Sequence, residues 1–180
     1  MVNKRFAMVV GMIATVVLAF GGTASAHNDD DNGWTVTVTH NPVNWVLASG
    51  HDPGQCPNLP DGIVLTGVGQ EVFTSKRRTD RWGITHLHDT SIKQGSVTDN
   101  AGNTYRFDYI NTAWSISRDG ENFRGIMFDV FSVKGRGPGT LRNGFLAQIE
   151  FGADYFRADP ISEFGNPFAF PSGPGICDPI

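Results

Sequence analysis

The chain has 180 residues, with 14 Lys and Arg against 18 Asp and Glu, 39% hydrophobic residues and 11% aromatics. That length suits one domain; the apolar content excludes a disordered chain, and 22 Gly without a G-X-Y period excludes collagen. The acidic balance weighs against nucleic acid and anionic membranes as partners, because both are bound through an excess of basic charge.

The first element in chain order reads as an export signal over 1–26. Lys4 and Arg5 form its positive start, Phe6 to Phe20 its apolar run of fifteen residues, and Ala24-Ser25-Ala26 a small-x-small cleavage pattern. The run is shorter than the ~20 residues of a spanning helix. Removal of the signal leaves 27–180 as a single β domain, with 12 basic and 18 acidic residues and a net charge near −6. The expectation is a secreted, extracellular protein with no membrane attachment once the signal is gone. The residues 27–33, with Asp29-Asp30-Asp31, read as an acidic unstructured start. They lack the alternating ligands, Gly and Glu of a calcium loop.

Strands follow, marked by period-two alternation. Trp34, Val36 and Val38 alternate with Thr35, Thr37 and Thr39, and Tyr105, Phe107 and Tyr109 with Thr104, Arg106 and Asp108. Phe145, Ala147, Ile149 and Phe151 alternate with Leu146, Gln148 and Glu150. Further strands are expected at 63–68, 72–75, 81–89, 95–98 and 113–117. Turn residues at Asp99–Asn103, Arg118–Glu121 and Gly135–Gly139 separate consecutive runs as hairpins. No proline lies between Asp61 and Gly137, so a sheet can run unbroken there. The strand 125–133 is apolar on both faces and needs cover on both. The expected fold is all-β, an antiparallel barrel of about eight or nine strands, with a two-sheet sandwich as the alternative. The Pro-, Gly- and Phe-rich tail 153–180 is expected to pack extended across the outside of the sheet.

Cys56 and Cys177 are the only cysteines, and an even count in an exported chain reads as one disulfide. It would close a loop of about 120 residues and tie back the tail, worth up to about 4.7 kcal/mol in the chain-entropy account.

Three patterns bear on chemistry. His86-Leu87-His88 places two imidazoles on one strand face, where both could ligate a transition metal. The third ligand would come from His51, Asp108, Asp129, Glu71 or Glu150. Asp129 is preferred because it interrupts the apolar row Met127, Phe131 and Val133, and a carboxylate facing a core needs a partner such as a metal or a His. Cupins carry such a His-x-His together with a Glu a few residues later and a further His on a later strand, and in this chain no Glu follows His88 before Glu121 and no His follows His88. Lys76-Arg77-Arg78, with Arg81, is a basic cluster expected at a loop tip, either contacting an anion or lying solvated. Trp82, Trp114, Tyr105 and Tyr109 are aromatics that would line a cavity if the barrel is hollow, and plain core if it is filled. No Gly-x-Ser-x-Gly, P-loop or His-Glu-x-x-His pattern is present.

The segment Ser96-Val97-Thr98-Asp99-Asn100-Ala101-Gly102-Asn103-Thr104-Tyr105-Arg106-Phe107 and the ending Ile176-Cys177-Asp178-Pro179-Ile180 carry a resemblance. With the signal and the early Cys56-Pro57, the chain resembles uncharacterised secreted β-rich proteins of actinobacteria and related bacteria. The resemblance implies export and the Cys56–Cys177 pairing, and no activity. The leading expectation is a non-enzymatic extracellular domain that binds a small apolar molecule or a cell-surface component, with no cofactor and with its oligomeric state open. The alternative is a metal-assisted enzyme of cupin-like or barrel type built on His86, His88 and Asp129.

Overall fold

The computed structural model describes residues 26–29, 33–50 and 55–165. These residues form nine strands: β1 (Ala26–Asp29), β2 (Thr35–Ser49), β3 (Gln55–Cys56), β4 (Val64–Thr79), β5 (Thr85–Asp99), β6 (Thr104–Ser117), β7 (Phe123–Gly135), β8 (Leu141–Gly152) and β9 (Tyr155–Phe164). They make one sheet in the order β1-β2-β4-β5-β6-β7-β8-β9, antiparallel at every step, with β3 joined to β2 by a short parallel pairing.

The sheet curls into a half-barrel, which corrects the expected closed barrel and its sandwich alternative. Among the described residues the edge strands β1 and β9 do not pair with each other. The reason is visible in the edges. β1 spans four residues and β3 two, while β9 contains Pro160 and a register shift opposite Leu146 and Ala147. Proline and bulges belong to edge strands because both interrupt the row of ladder donors. The curl still brings the two ends of the sheet together at one rim, where the Asn58 amide donates to the Gly165 carbonyl.

The hairpins lie where the turn chemistry expects them, but the strands are longer. The runs expected at 63–68 and 72–75 are one strand, β4, and those around 81–89 and 95–98 merge into β5. Cross-strand partners carry the ladder over the weak positions, Gly69 opposite Gly95 and Glu71 opposite Lys93. The basic cluster therefore lies within β4 rather than at a loop tip; the tip is Asp80–Ile84. The acidic start differs too, since Ala26–Asp29 pairs with β2 as β1. The tail is corrected in part: Tyr155–Phe164 is an edge strand on β8, not an outer cover. The stretch 166–180, with Cys177, lies outside the described residues, as do the signal core 1–25 and His51.

Side chains alternate between a concave and a convex face. The register places Trp45, Gly67, Val97, Tyr105, Gly135 on one row and Tyr109, Phe131, Asn143 on another, all on the concave side. The core occupies one half of this concavity and includes Trp45, Leu65, Val97, Phe107, Phe131 and Val133. Trp45 meets Phe107 and Phe131 edge-on, with centroids 5.3 and 5.6 Å away. Gly67 lies under the indole, and a Cβ there would overlap the ring. Cys56 is fully buried in the same cluster.

Candidate functional site

The convex face holds the less ordinary surface. Because β5 pairs with β6 so that His86 faces Ile116 and His88 faces Trp114, both imidazoles project to the side opposite Tyr105, Phe107 and Tyr109. The same parity carries Lys76 beside His88 and Arg78 beside His86 on β4, and Ile126 beside Trp114 and Arg124 beside Ile116 on β7. Two rows thus cross four strands: Lys76–His88–Trp114–Ile126 and Arg78–His86–Ile116–Arg124.

Between these rows runs an open groove of about 560 Å³, walled by Trp34, His88, Trp114, Ile116, Arg124 and Ile126. The His88 and Trp114 rings stack, 5.1 Å apart and tilted 16°, and Trp114 remains 50% exposed. Ile116 and Ile126 are also exposed. Isolated exposed apolar side chains are ordinary, but a contiguous patch on a convex sheet face marks an interaction surface.

The charges around the groove are unevenly used. At one rim the Arg124 Nε lies 3.3 Å from the Glu150 carboxylate. His86 Nε2 lies 3.1 Å from Asp80 Oδ2, and that contact holds the Asp80 carboxyl below its ordinary range against its partial burial. Asp80 Oδ1 also accepts the backbone N–H groups of Trp82 and Ile84 at 2.9 and 3.0 Å, which shapes the β4–β5 turn. At the β4 rim, Arg78 packs over the Trp34 ring, 4.8 Å from its centroid. Among the described residues neither Lys76 nor Arg78 has a carboxylate partner. Burial, together with the Lys76 ammonium, pushes the His88 imidazole below its ordinary value against the pull of Asp89. His88 is therefore neutral at neutral pH, and the stacked pair presents an uncharged aromatic ledge.

The concave face carries a polar arc at the margin of the core. Ser91 and Asn41 donate to the Glu71 carboxylate at 2.7 and 2.9 Å. Burial works to raise this carboxyl, but the two donors and the Lys93 ammonium outweigh it and hold it below the usual range. Lys93 lies over the Tyr109 ring, and the Tyr109 hydroxyl donates to Asp129 Oδ2 at 2.7 Å. Asn111 donates to the same oxygen at 2.8 Å. Every member is engaged by another, so the arc stitches β2, β4, β5, β6 and β7 together.

This geometry separates residues that the sequence reading grouped. His86 and His88 share a face, as expected, but Asp129 is on the opposite one, 3% exposed and held by Tyr109 and Asn111. Asp129 does face the core and does need partners; they are a hydroxyl and an amide. Among the described residues no three His, Cys, Asp or Glu side chains converge on a metal position. Nor do the four cavity aromatics meet. Tyr105 and Tyr109 belong to the core, Trp82 is 71% exposed in the turn, and Trp114 is on the convex face. Trp34, Ile116, Arg124 and Ile126 were not singled out as site residues in the sequence, whereas Arg78 was, within the basic cluster. The signal that could have found them is the even-numbered series Ile110, Trp114, Ile116, bulky and apolar on the side of β6 opposite Tyr105 and Phe107.

Comparison of the chain with models of known protein families, with curated proteins and with solved structures finds no match.

Proposed function

We propose that the protein is an exported, non-enzymatic binding domain whose small apolar ligand lies in the convex groove, against the stacked His88 and Trp114 rings. The observation that carries this reading is the half-exposed indole stacked on the His88 imidazole, set in a contiguous apolar floor on a solvent-facing sheet. An aromatic surface of this kind gains by transferring apolar area of a ligand out of water, at roughly 25 cal/mol per Å² before the costs of association. The ligand site expected inside the barrel thus moves to its outside, because Trp45, Phe107 and Phe131 fill the interior half that holds the other aromatics.

Export by the 1–26 signal and a Cys56–Cys177 disulfide belong to the same proposal. The wholly buried position of Cys56 supports the second, since a staple anchored in the core would hold the tail close to Asn58, where the chain leaves β9. The test of the binding reading is a tryptophan-fluorescence titration with naphthalenemethanol. Saturable quenching that Trp114→Ala abolishes supports it; no quenching, or quenching unaltered in Trp114→Ala, overturns it.

A further inference from the structure

We propose that the groove selects a flat apolar molecule bearing one oxyanion group, with that group seated at the β4 rim against Lys76 and Arg78. The inference rests on the binding reading above and adds the chemical class of the ligand and its orientation.

The argument is one of charge complementarity along the groove. Five cationic or potentially cationic side chains lie on the two rows, and three are already engaged or neutral: Arg124 with Glu150, His86 with Asp80, and His88 stacked uncharged on Trp114. What is left is Lys76 and Arg78, two residues apart on the same face of β4. Among the described residues, the nearby carboxylates on this face, Asp80 and Glu150, are the partners of His86 and Arg124 rather than of this pair. Arg78 is also held in place. Its guanidinium stacks on Trp34, and its Nε is buried with no hydrogen-bond partner among the described residues. A guanidinium already fixed on an aromatic ring has little freedom left to lose when a ligand arrives, and its planar fork suits an oxyanion.

Orientation follows from the strand order. From β4, one step of about 4.8 Å reaches His88 on β5, a second reaches Trp114 on β6, and a third reaches Ile126 on β7. A ligand with its oxyanion over Lys76 and Arg78 therefore lays its body on the imidazole, the indole and the isoleucine in turn. A rigid bicyclic body is long enough to cover the stacked pair. A cationic ligand would meet the two basic side chains without compensation, which builds selectivity against it.

The experiment compares three naphthalene probes of the same body on the intact protein at neutral pH and low salt: the carboxylate, the neutral methanol and the methylammonium. The carboxylate is expected to bind about tenfold more tightly than the alcohol, with the preference shrinking as salt rises. Replacing both Lys76→Gln and Arg78→Gln should abolish the preference for the carboxylate over the alcohol. Equal binding of carboxylate and alcohol to the unmodified protein would overturn the oxyanion inference while leaving the binding reading intact. Tighter binding of the ammonium would also overturn it. Failure of all three probes to bind would remove both. The comparison of probes on the unmodified protein decides the matter even if the double variant is unstable.

Discussion

Trp45 on β2 and Phe131 on β7 meet edge-to-face with ring centroids 5.6 Å apart, although three strands separate them in the sheet. Only a strongly curled sheet allows that contact, and Gly67 opposite Trp45 makes room for it. Gly67→Ala should therefore overpack the core and destabilise the protein by about 1–3 kcal/mol, read as a lower denaturant midpoint with an unchanged slope. An unaltered midpoint would mean that the indole does not lie on Gly67.

The β5–β6 hairpin is latched by Asp99, which makes the stability pH-dependent. Its carboxylate accepts the Asn103 amide and the Tyr105 hydroxyl at 2.8 and 2.7 Å, and the N–H groups of Ala101 and Asn103. The Asn103 amide above all, with these other donors, holds it at about 2 against its burial, below the ordinary value of 3.8. A carboxyl depressed on folding stabilises the protein above its unfolded value, and that contribution fades as the pH falls from about 4 through about 2. Asp119, bound by Asn122 and Ser117, acts in the same direction. Thermal unfolding at a series of pH values should show Asp99→Asn less stable than the wild type at neutral pH, with the gap narrowing toward pH 2. A gap that stays constant over that range would contradict the latch.

Asp129 is a structural anchor in this account. Asp129→Ala leaves the Tyr109 hydroxyl and the Asn111 amide without their acceptor in a buried setting, and should cost about 2–4 kcal/mol. Elemental analysis is expected to show the same metal content in wild type, His86→Ala and Asp129→Asn. A transition metal near one equivalent in the wild type, lost in either variant, would restore the ligand set that the two sheet faces separate.

Trp114→Ala should behave in the opposite way. The indole is half exposed and, among the described residues, stacks on His88 alone, so its removal is expected to change stability by less than about 1 kcal/mol while abolishing probe binding. Circular dichroism and the titration, run on the same preparation, separate the two effects. A large loss of stability would show that Trp114 belongs to the fold instead.

The disulfide is checked by alkylation under denaturing conditions without reductant, followed by intact mass. No modified cysteine is expected before reduction, and two after it. Two modified cysteines at the outset would remove the staple.

Strand positions were legible in the sequence because alternation is local: Thr104–Ile110 and Leu141–Phe151 can be read without any partner. The face of a strand was not. Local alternation would put His86 and His88 on the same side as Trp82 and Ile84, but β5 begins at Thr85, and those two residues form the turn on Asp80. Which side is concave depends on the hairpin register that pairs His88 with Trp114 and Thr85 with Ser117. That register brings in residues about thirty positions away, which no local pattern specifies. Asp129 shows the converse. Its place in an apolar row correctly put it on the core side, yet the identity of its partners depended on Tyr109 and Asn111 across the next hairpin. Closure was illegible for a third reason: whether a curled sheet seals depends on edge lengths and on Pro160, not on how many strands it has.

The most direct test of the ligand's position is the indole N–H region of the proton–nitrogen NMR spectrum, in which the four tryptophans report four places in the fold. Trp34 and Trp114 border the groove, Trp82 sits in the turn, and Trp45 is in the core. On titration with the naphthalene carboxylate, the Trp34 and Trp114 signals should move together and saturate while Trp45 stays fixed. A shift confined to Trp45, or no shift at any of the four, would contradict a ligand site on the convex face.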